Sequence, residues 1–199
     1  MQTLDLAGTE GRTDGRIKSL LWPSIETGTD VDYIGVQGYW VCAFVAAVSF
    51  VFMFLQGRPL LAATFLLFYY FGGVGVRERD LFAAAIVFGA YALDTLISLT
   101  ILIFVSPWGM LVMRVIFTAL LLSNLRATWI AANWQPSSEQ AAFPARQGGS
   151  WSDVLADLWP AFIWPKVRIV YYIFSSGVVL ISLLGIAVLV LRVSGYMPH

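Results

Sequence analysis

Apolar residues run along this chain in five long blocks, roughly 36–55, 60–76, 81–105, 110–132 and 169–191, separated by polar or charged breaks. At about 1.5 Å per helical residue, about 20 residues cross a hydrocarbon core of about 30 Å. The pattern therefore predicts five membrane-spanning helices, with the 60–76 block at the short end of that requirement. Gln56, Gly57, Arg58 and Pro59 read as a tight turn, and Ser106, Pro107, Trp108 and Gly109 as another. Arg77, Glu78, Arg79 and Asp80 read as a solvated charge cluster. Gly72, Gly73, Val74 and Gly75 have the glycine density of a phosphate-binding loop. No Lys-Ser/Thr follows them and no strand precedes them, so close helix packing or fraying is the better reading.

The longest break, 134–166, has two halves. QPSSEQAAFPARQGGS has the Pro, Ser, Gly and Gln content of a flexible connection. Beyond it, Trp151, Val154, Leu155, Leu158, Trp159 and Phe162 recur at three- and four-residue steps, with Ser152 as N-cap and Asp153 and Asp157 opposite. That spacing predicts a short amphipathic helix over 152–162, lying on the bilayer or packed as a lid, and Pro160 and Pro165 are expected to separate it from the fifth span. Residues 1–35 form a tail, with an interfacial segment or sticky linker at 16–25 and with Glu26, Asp30 and Asp32 keeping the approach to the first span wet. Residues 193–199 form a second tail.

Composition agrees with this pattern. The chain is 59% hydrophobic and 12% charged with a mean hydropathy of +0.77, whereas soluble domains carry about 25% charged residues. The expected fold is an all-α integral membrane protein, a five-transmembrane-helix bundle with a short amphipathic interfacial helix between the fourth and fifth spans. A net charge of zero gives no global field for nucleic acid. A lone Cys42 and a lone His199 supply neither a disulfide nor a His/Cys metal cluster, and no internal histidine is available to ligate haem. No metal and no cofactor is expected.

Lysine and arginine set the expected threading. Arg12, Arg16, Lys18, Arg77, Arg79, Arg146, Lys166 and Arg168 fall on one side of a five-span topology, with Arg126 near the same side, and only Arg58 and Arg192 on the other. The N-terminus is therefore expected in the cytoplasm and the C-terminus outside, in a plasma (inner) membrane. Aromatic residues at the ends of the blocks, among them Tyr39, Trp40, Trp129 and Trp164, read as interface anchors.

Two ionisable residues lie inside the blocks, Asp94 in the third and Arg114 in the fourth. A charge at mid-membrane costs about 2.5–3.5 kcal/mol even on lenient scales, so both should face protein or water. At 100° per residue Tyr91, Asp94 and Ser98 share one side of the third helix, flanked by Thr95. Asp94 and Arg114 are expected to form a buried pair that pins the hairpin. The competing arrangement has Arg114 reaching the outer interface and Asp94 protonated against Ser98 or Tyr91. In the fourth block Ala119, Ser123, Ala127 and Ala131 form a small-residue packing stripe. Arg114, Thr118, Asn124 and Thr128 line another side, either bonding across helices or bordering a polar cavity with Tyr91 and Asp94. Arg126 is a candidate contact for lipid headgroups. Ala43 and Ala47, and Gly177 and Gly185, are two further candidate packing pairs.

These residues contain no nucleophile with a positioned base and no facing aspartate pair, so a catalytic role is not expected. The remaining classes are a non-catalytic accessory, scaffold or lipid-interacting bundle held by the Asp94–Arg114 pair, or an oligomeric channel or transporter using Asp94. The lipid bilayer is the expected partner, with a homo-oligomer or larger membrane complex in view and no nucleic acid.

Overall fold

A computed structural model describes residues 21–25, 28–102, 108–133 and 151–193. Of these, 92% are helical and none is in a strand. The helices are α1 (Gly28–Leu55), α2 (Pro59–Arg77), α3 (Leu81–Leu102), α4 (Trp108–Ala132) and α5 (Trp151–Val193). All five are long and apolar enough to cross a membrane. The expected turn at Ser106 and Pro107, the flexible half of the long connection and most of both tails lie outside the described residues.

The first three helices are joined by two tight links with the same backbone logic. After α1, the Arg58 N–H donates to the Met53 carbonyl and that of Gly57 to Phe54, both at 3.0 Å. Gly57 has φ of +73°, which places it in the left-handed conformation that closes a helix. After α2, Asp80 donates to Gly75 at 2.9 Å and Arg79 to Val76 at 3.1 Å. Here the left-handed residue is Arg79, at φ of +58°, a conformation that costs a non-glycine residue roughly 1–2 kcal/mol. Asp80 then caps α3, its Oδ1 accepting from the Phe82 and Ala83 N–H groups at 3.0 Å. One three-residue link thus ends one helix and begins the next.

α1 packs most extensively on α2, α4 on both α1 and α3, and α5 on α2. One core groups Cys42, Val45, Ala46, Phe68, Tyr69, Val87, Tyr91 and Leu121, and a second groups Tyr39, Val74, Ala83, Ala156, Trp164 and Tyr171. The glycine run in α2 is where these meet. A Cβ on Gly72 would sit 2.3 Å from Val87, one on Gly73 2.7 Å from Cys42, and one on Gly75 2.4 Å from Trp164 and 2.6 Å from Ala83. The run lets α1, α3 and α5 approach one helix at once.

Several expectations change here. α1 starts at Gly28 rather than near residue 36, because Val31 and Ile34 are buried and extend its packing face. Tyr39 and Trp164 are core residues rather than interface anchors, each 5% exposed. Ala47 is exposed, and Cys42, Val45 and Ala46 form the packing face in its place. Gly177 and Gly185 face open space rather than a neighbour.

The largest change is in α5. The expected interfacial helix at 152–162 and the fifth span are one continuous helix, with Pro160 and Pro165 inside it. An internal proline removes a backbone hydrogen bond and costs about 3 kcal/mol. Contacts on both sides of the prolines hold the helix in register: Asp157 binds Arg77, Ala156 and Pro160 are fully buried, Trp164 fills the space over Gly75, and Tyr172 binds Asp80. The apolar residues Leu155, Trp159 and Phe162 face outward instead.

Candidate functional site

The end of the bundle formed by the start of α1, the α2–α3 link, the end of α4 and the first half of α5 gathers most of the charge. At its centre is Arg77, 1% exposed. Its Nη1 donates to Asp32 Oδ1 at 2.7 Å and to the Asp32 carbonyl at 3.3 Å, and its Nη2 to Asp32 Oδ2 at 3.3 Å. Nε donates to Asp157 Oδ1 at 2.7 Å, and Nη2 also reaches that oxygen. A guanidinium has five N–H donors, and these five bonds use the set. Arg79 Nη2 adds a contact to Asp32 Oδ1 at 3.1 Å, so two cations and two carboxylates balance across α1, α2 and α5. Of the solvated charge cluster expected at 77–80, Arg77 is instead the buried centre of an ionic clasp, while Glu78, Arg79 and Asp80 are half-buried. Asp32 and Asp157, expected to face water, are 24% and 19% exposed.

A second group continues the same end. Tyr172 donates its hydroxyl hydrogen to Asp80 Oδ2 at 2.5 Å, and Arg168 Nε lies 2.8 Å from that hydroxyl and 3.2 Å from the same carboxylate oxygen. The Phe82 ring meets Tyr172 edge-on at 4.9 Å. These contacts fasten α5 to the start of α3.

The Asp94–Arg114 pair forms nearer the other end. Arg114 Nη1 donates to Asp94 Oδ2 at 2.5 Å, joining α3 to α4. At about 1.5 Å per residue, Asp94 lies about 12 Å and Arg114 about 9 Å inside that end of the hairpin, so the two side chains are nearly level. The pair is not buried within the chain, because the Asp94 side chain is 56% exposed and that of Arg114 25%. Helical phase explains this. Tyr91, Thr95 and Ser98 take the inward side of α3, at 6%, 4% and 8% exposure, which leaves Asp94 at its outer edge. Asp94 borders an apolar groove of about 490 Å³ between α2, α3 and α5, with Phe68, Leu93, Ile97, Val179 and Ser182 among its walls.

Most of the remaining polar side chains of α4 bond within the bundle; the Ser123 hydroxyl and Asn124 Oδ1 are buried without a partner among the described residues. Thr118 meets Thr95 at 3.2 Å and donates to the Arg114 carbonyl at 2.8 Å. Asn124 Nδ2 donates to the Ile34 carbonyl of α1 at 3.1 Å, and Thr128 to the Asn124 carbonyl at 2.9 Å. Tyr91 packs its ring on Tyr69 and Phe117. Of the small-residue stripe, Ser123 and Ala127 are buried while Ala119 and Ala131 are half-buried. Arg126 donates Nη1 to the Pro23 carbonyl at 3.3 Å and stands over the Trp22 ring at 4.9 Å. Among the described residues no group of three His, Cys, Asp or Glu side chains is arranged to hold a metal.

Sequence reasoning missed Arg77, Asp32, Asp157 and the Asp80–Tyr172–Arg168 set. The available signal was Gly35 in the first helix, where a Cβ would sit 3.4 Å from Arg77 Nη1, an opening beside the guanidinium. Compared with known proteins, the chain matches no family model, no curated protein and no solved structure.

Proposed function

We propose that the chain is a non-catalytic, multi-pass membrane protein that acts as an accessory or scaffold subunit and receives a membrane helix at its Asp94–Arg114 face. The observation that carries this reading is an ion pair within the apolar length of two candidate spans whose carboxylate is 56% exposed. In lipid such a pair is costly, and intramembrane charges face protein or a water-filled cavity. A helix laid over the groove beside Asp94 would remove the pair from lipid and bury the apolar walls around it. Thr95, Thr118 and Asn124 bond across helices, which favours a structural role over a permeation path.

The threading follows the positive charges, with the end holding Arg77, Arg79, Arg126, Lys166 and Arg168 in the cytoplasm and the C-terminus outside, in a plasma (inner) membrane. The test is the mass of the particle extracted in mild detergent. Wild type should run as an assembly larger than the 22.0 kDa chain, and the Asp94→Leu/Arg114→Leu double variant should run as a folded monomer. A wild-type monomer would overturn self-association, and one that also copurifies with no membrane protein would overturn the scaffold reading. The second reading, an oligomeric channel or transporter, uses the same exposed carboxylate, and a liposome flux lost in Asp94→Asn would favour it.

A further inference from the structure

Between the start of α3, the end of α4 and the middle of α5 lies an open groove of about 1280 Å³. One part of its wall is apolar, with Phe82, Leu122, Leu125 and Trp129, and the other carries Arg79, Arg126 and Arg168. We infer that this groove binds an anionic phospholipid, with the headgroup on Arg126 and Arg168 and the acyl chains along Phe82, Leu122 and Trp129.

Three observations on the charges support a lipid anion. Arg126 has no carboxylate partner among the described residues; its contacts are a carbonyl and a ring. Arg168 is 56% exposed and spends only Nε on Asp80 and Tyr172, so its terminal nitrogens meet no protein acceptor among the described residues. Against the three arginines the groove sets two carboxylates, Glu78 and Asp80, and Asp80 is already committed, using Oδ1 on two backbone N–H groups and Oδ2 on Tyr172 and Arg168. The local field is therefore positive where guanidinium donors are open, which suits a phosphate, to which arginine binds in a fork geometry.

The apolar wall favours a lipid over a free anion. Trp129 is 60% and Phe82 52% exposed, and both line the groove beside the arginines. This arrangement matches an amphiphile seated at a membrane boundary, where basic residues and aromatic rings meet headgroups. The inference depends on the membrane reading but not on the Asp94 face, which lies nearer the other end of the bundle.

The test is native mass spectrometry of the full chain in neutral detergent, titrated with phosphatidylglycerol or phosphatidylcholine. Wild type should bind phosphatidylglycerol at least tenfold more tightly. Each arginine near a membrane surface contributes about fivefold to binding an anionic lipid. Arg126→Gln should therefore weaken phosphatidylglycerol about fivefold, and the double variant with Arg168→Gln should abolish the preference. Arg58→Gln, at the opposite end of the bundle, should change nothing. Arg126→Gln gives up only a carbonyl and a ring contact, so its melting temperature should match wild type and exclude misfolding as the cause. Equal binding of the two lipids, or a preference retained in the double variant, would overturn the inference. Displacement of the lipid by millimolar inorganic phosphate would overturn it in favour of a soluble anion.

Discussion

Replacing Arg77 by Met removes the centre of the ionic clasp while keeping a side chain of similar length. The loss reaches further than one ion pair, because five hydrogen bonds disappear together. Asp32 keeps Arg79 at 3.1 Å, whereas Asp157 is left with no cation among the described residues. Breaking one partner of a buried pair costs about 3–5 kcal/mol. The two carboxylates are 24% and 19% exposed and can draw in water, which puts the expected cost near the lower bound, about 3 kcal/mol. For a chain of this length, about 2–4 °C of melting temperature is lost per kcal/mol, so Arg77→Met should melt about 6–12 °C below wild type.

The double-mutant cycle with Asp157→Asn separates this account from a mere loss of packing. Asp157→Asn alone leaves Arg77 bidentate on Asp32 and should cost about 1–2 kcal/mol. Adding it to Arg77→Met removes the stranded carboxylate, so the double variant should be more stable than the sum of the singles by about 1–2 kcal/mol. The assay is thermal unfolding in detergent followed by tryptophan fluorescence, to which the buried Trp164 contributes. Strict additivity, or a melting point for Arg77→Met within about 2 °C of wild type, would refute the clasp.

Other positions give sharp contrasts. Gly75→Ala would put a Cβ 2.4 Å from Trp164 and 2.6 Å from Ala83, so it should destabilise by about 1–3 kcal/mol. Gly177→Ala meets open space and should stabilise its helix by about 0.5–1 kcal/mol. Both are read in the same melting assay. The Tyr171 hydroxyl is buried without a partner among the described residues, so Tyr171→Phe should leave stability unchanged or raise it by up to about 1 kcal/mol. A reporter fused after His199 should be active only outside the cytoplasm.

What was legible in the sequence follows from which forces act locally. The five helices were readable because a helix satisfies its backbone within one segment, and long apolar blocks have few other outcomes. Asp94 and Arg114 drew notice because charge is rare in such blocks, and counting back from the turn put them within reach of each other. Their exposure was not readable. A step of 100° per residue groups side chains but does not say which group meets a neighbour, and Tyr91, Thr95 and Ser98 took the inward position. Arg77 was misread because its partners lie 45 and 80 residues away, and local polarity at a helix end looks the same whether water or a carboxylate satisfies it. Pro160 and Pro165 were misread because local propensity points to a break there, while burial of Ala156, Pro160 and Trp164 on the bundle keeps the helix whole. The α2 glycines were legible as a packing feature, but not as the point where three helices meet one.

The proposal of a scaffold subunit depends on what lies over Asp94 in the membrane. A photo-crosslinking amino acid at Ile97, which lines the same groove, reports its neighbours in intact membranes. The expected result is a discrete protein adduct that disappears when Asp94 and Arg114 are both replaced by Leu. Labelling of lipid alone, with no protein adduct in the wild type, would contradict the account.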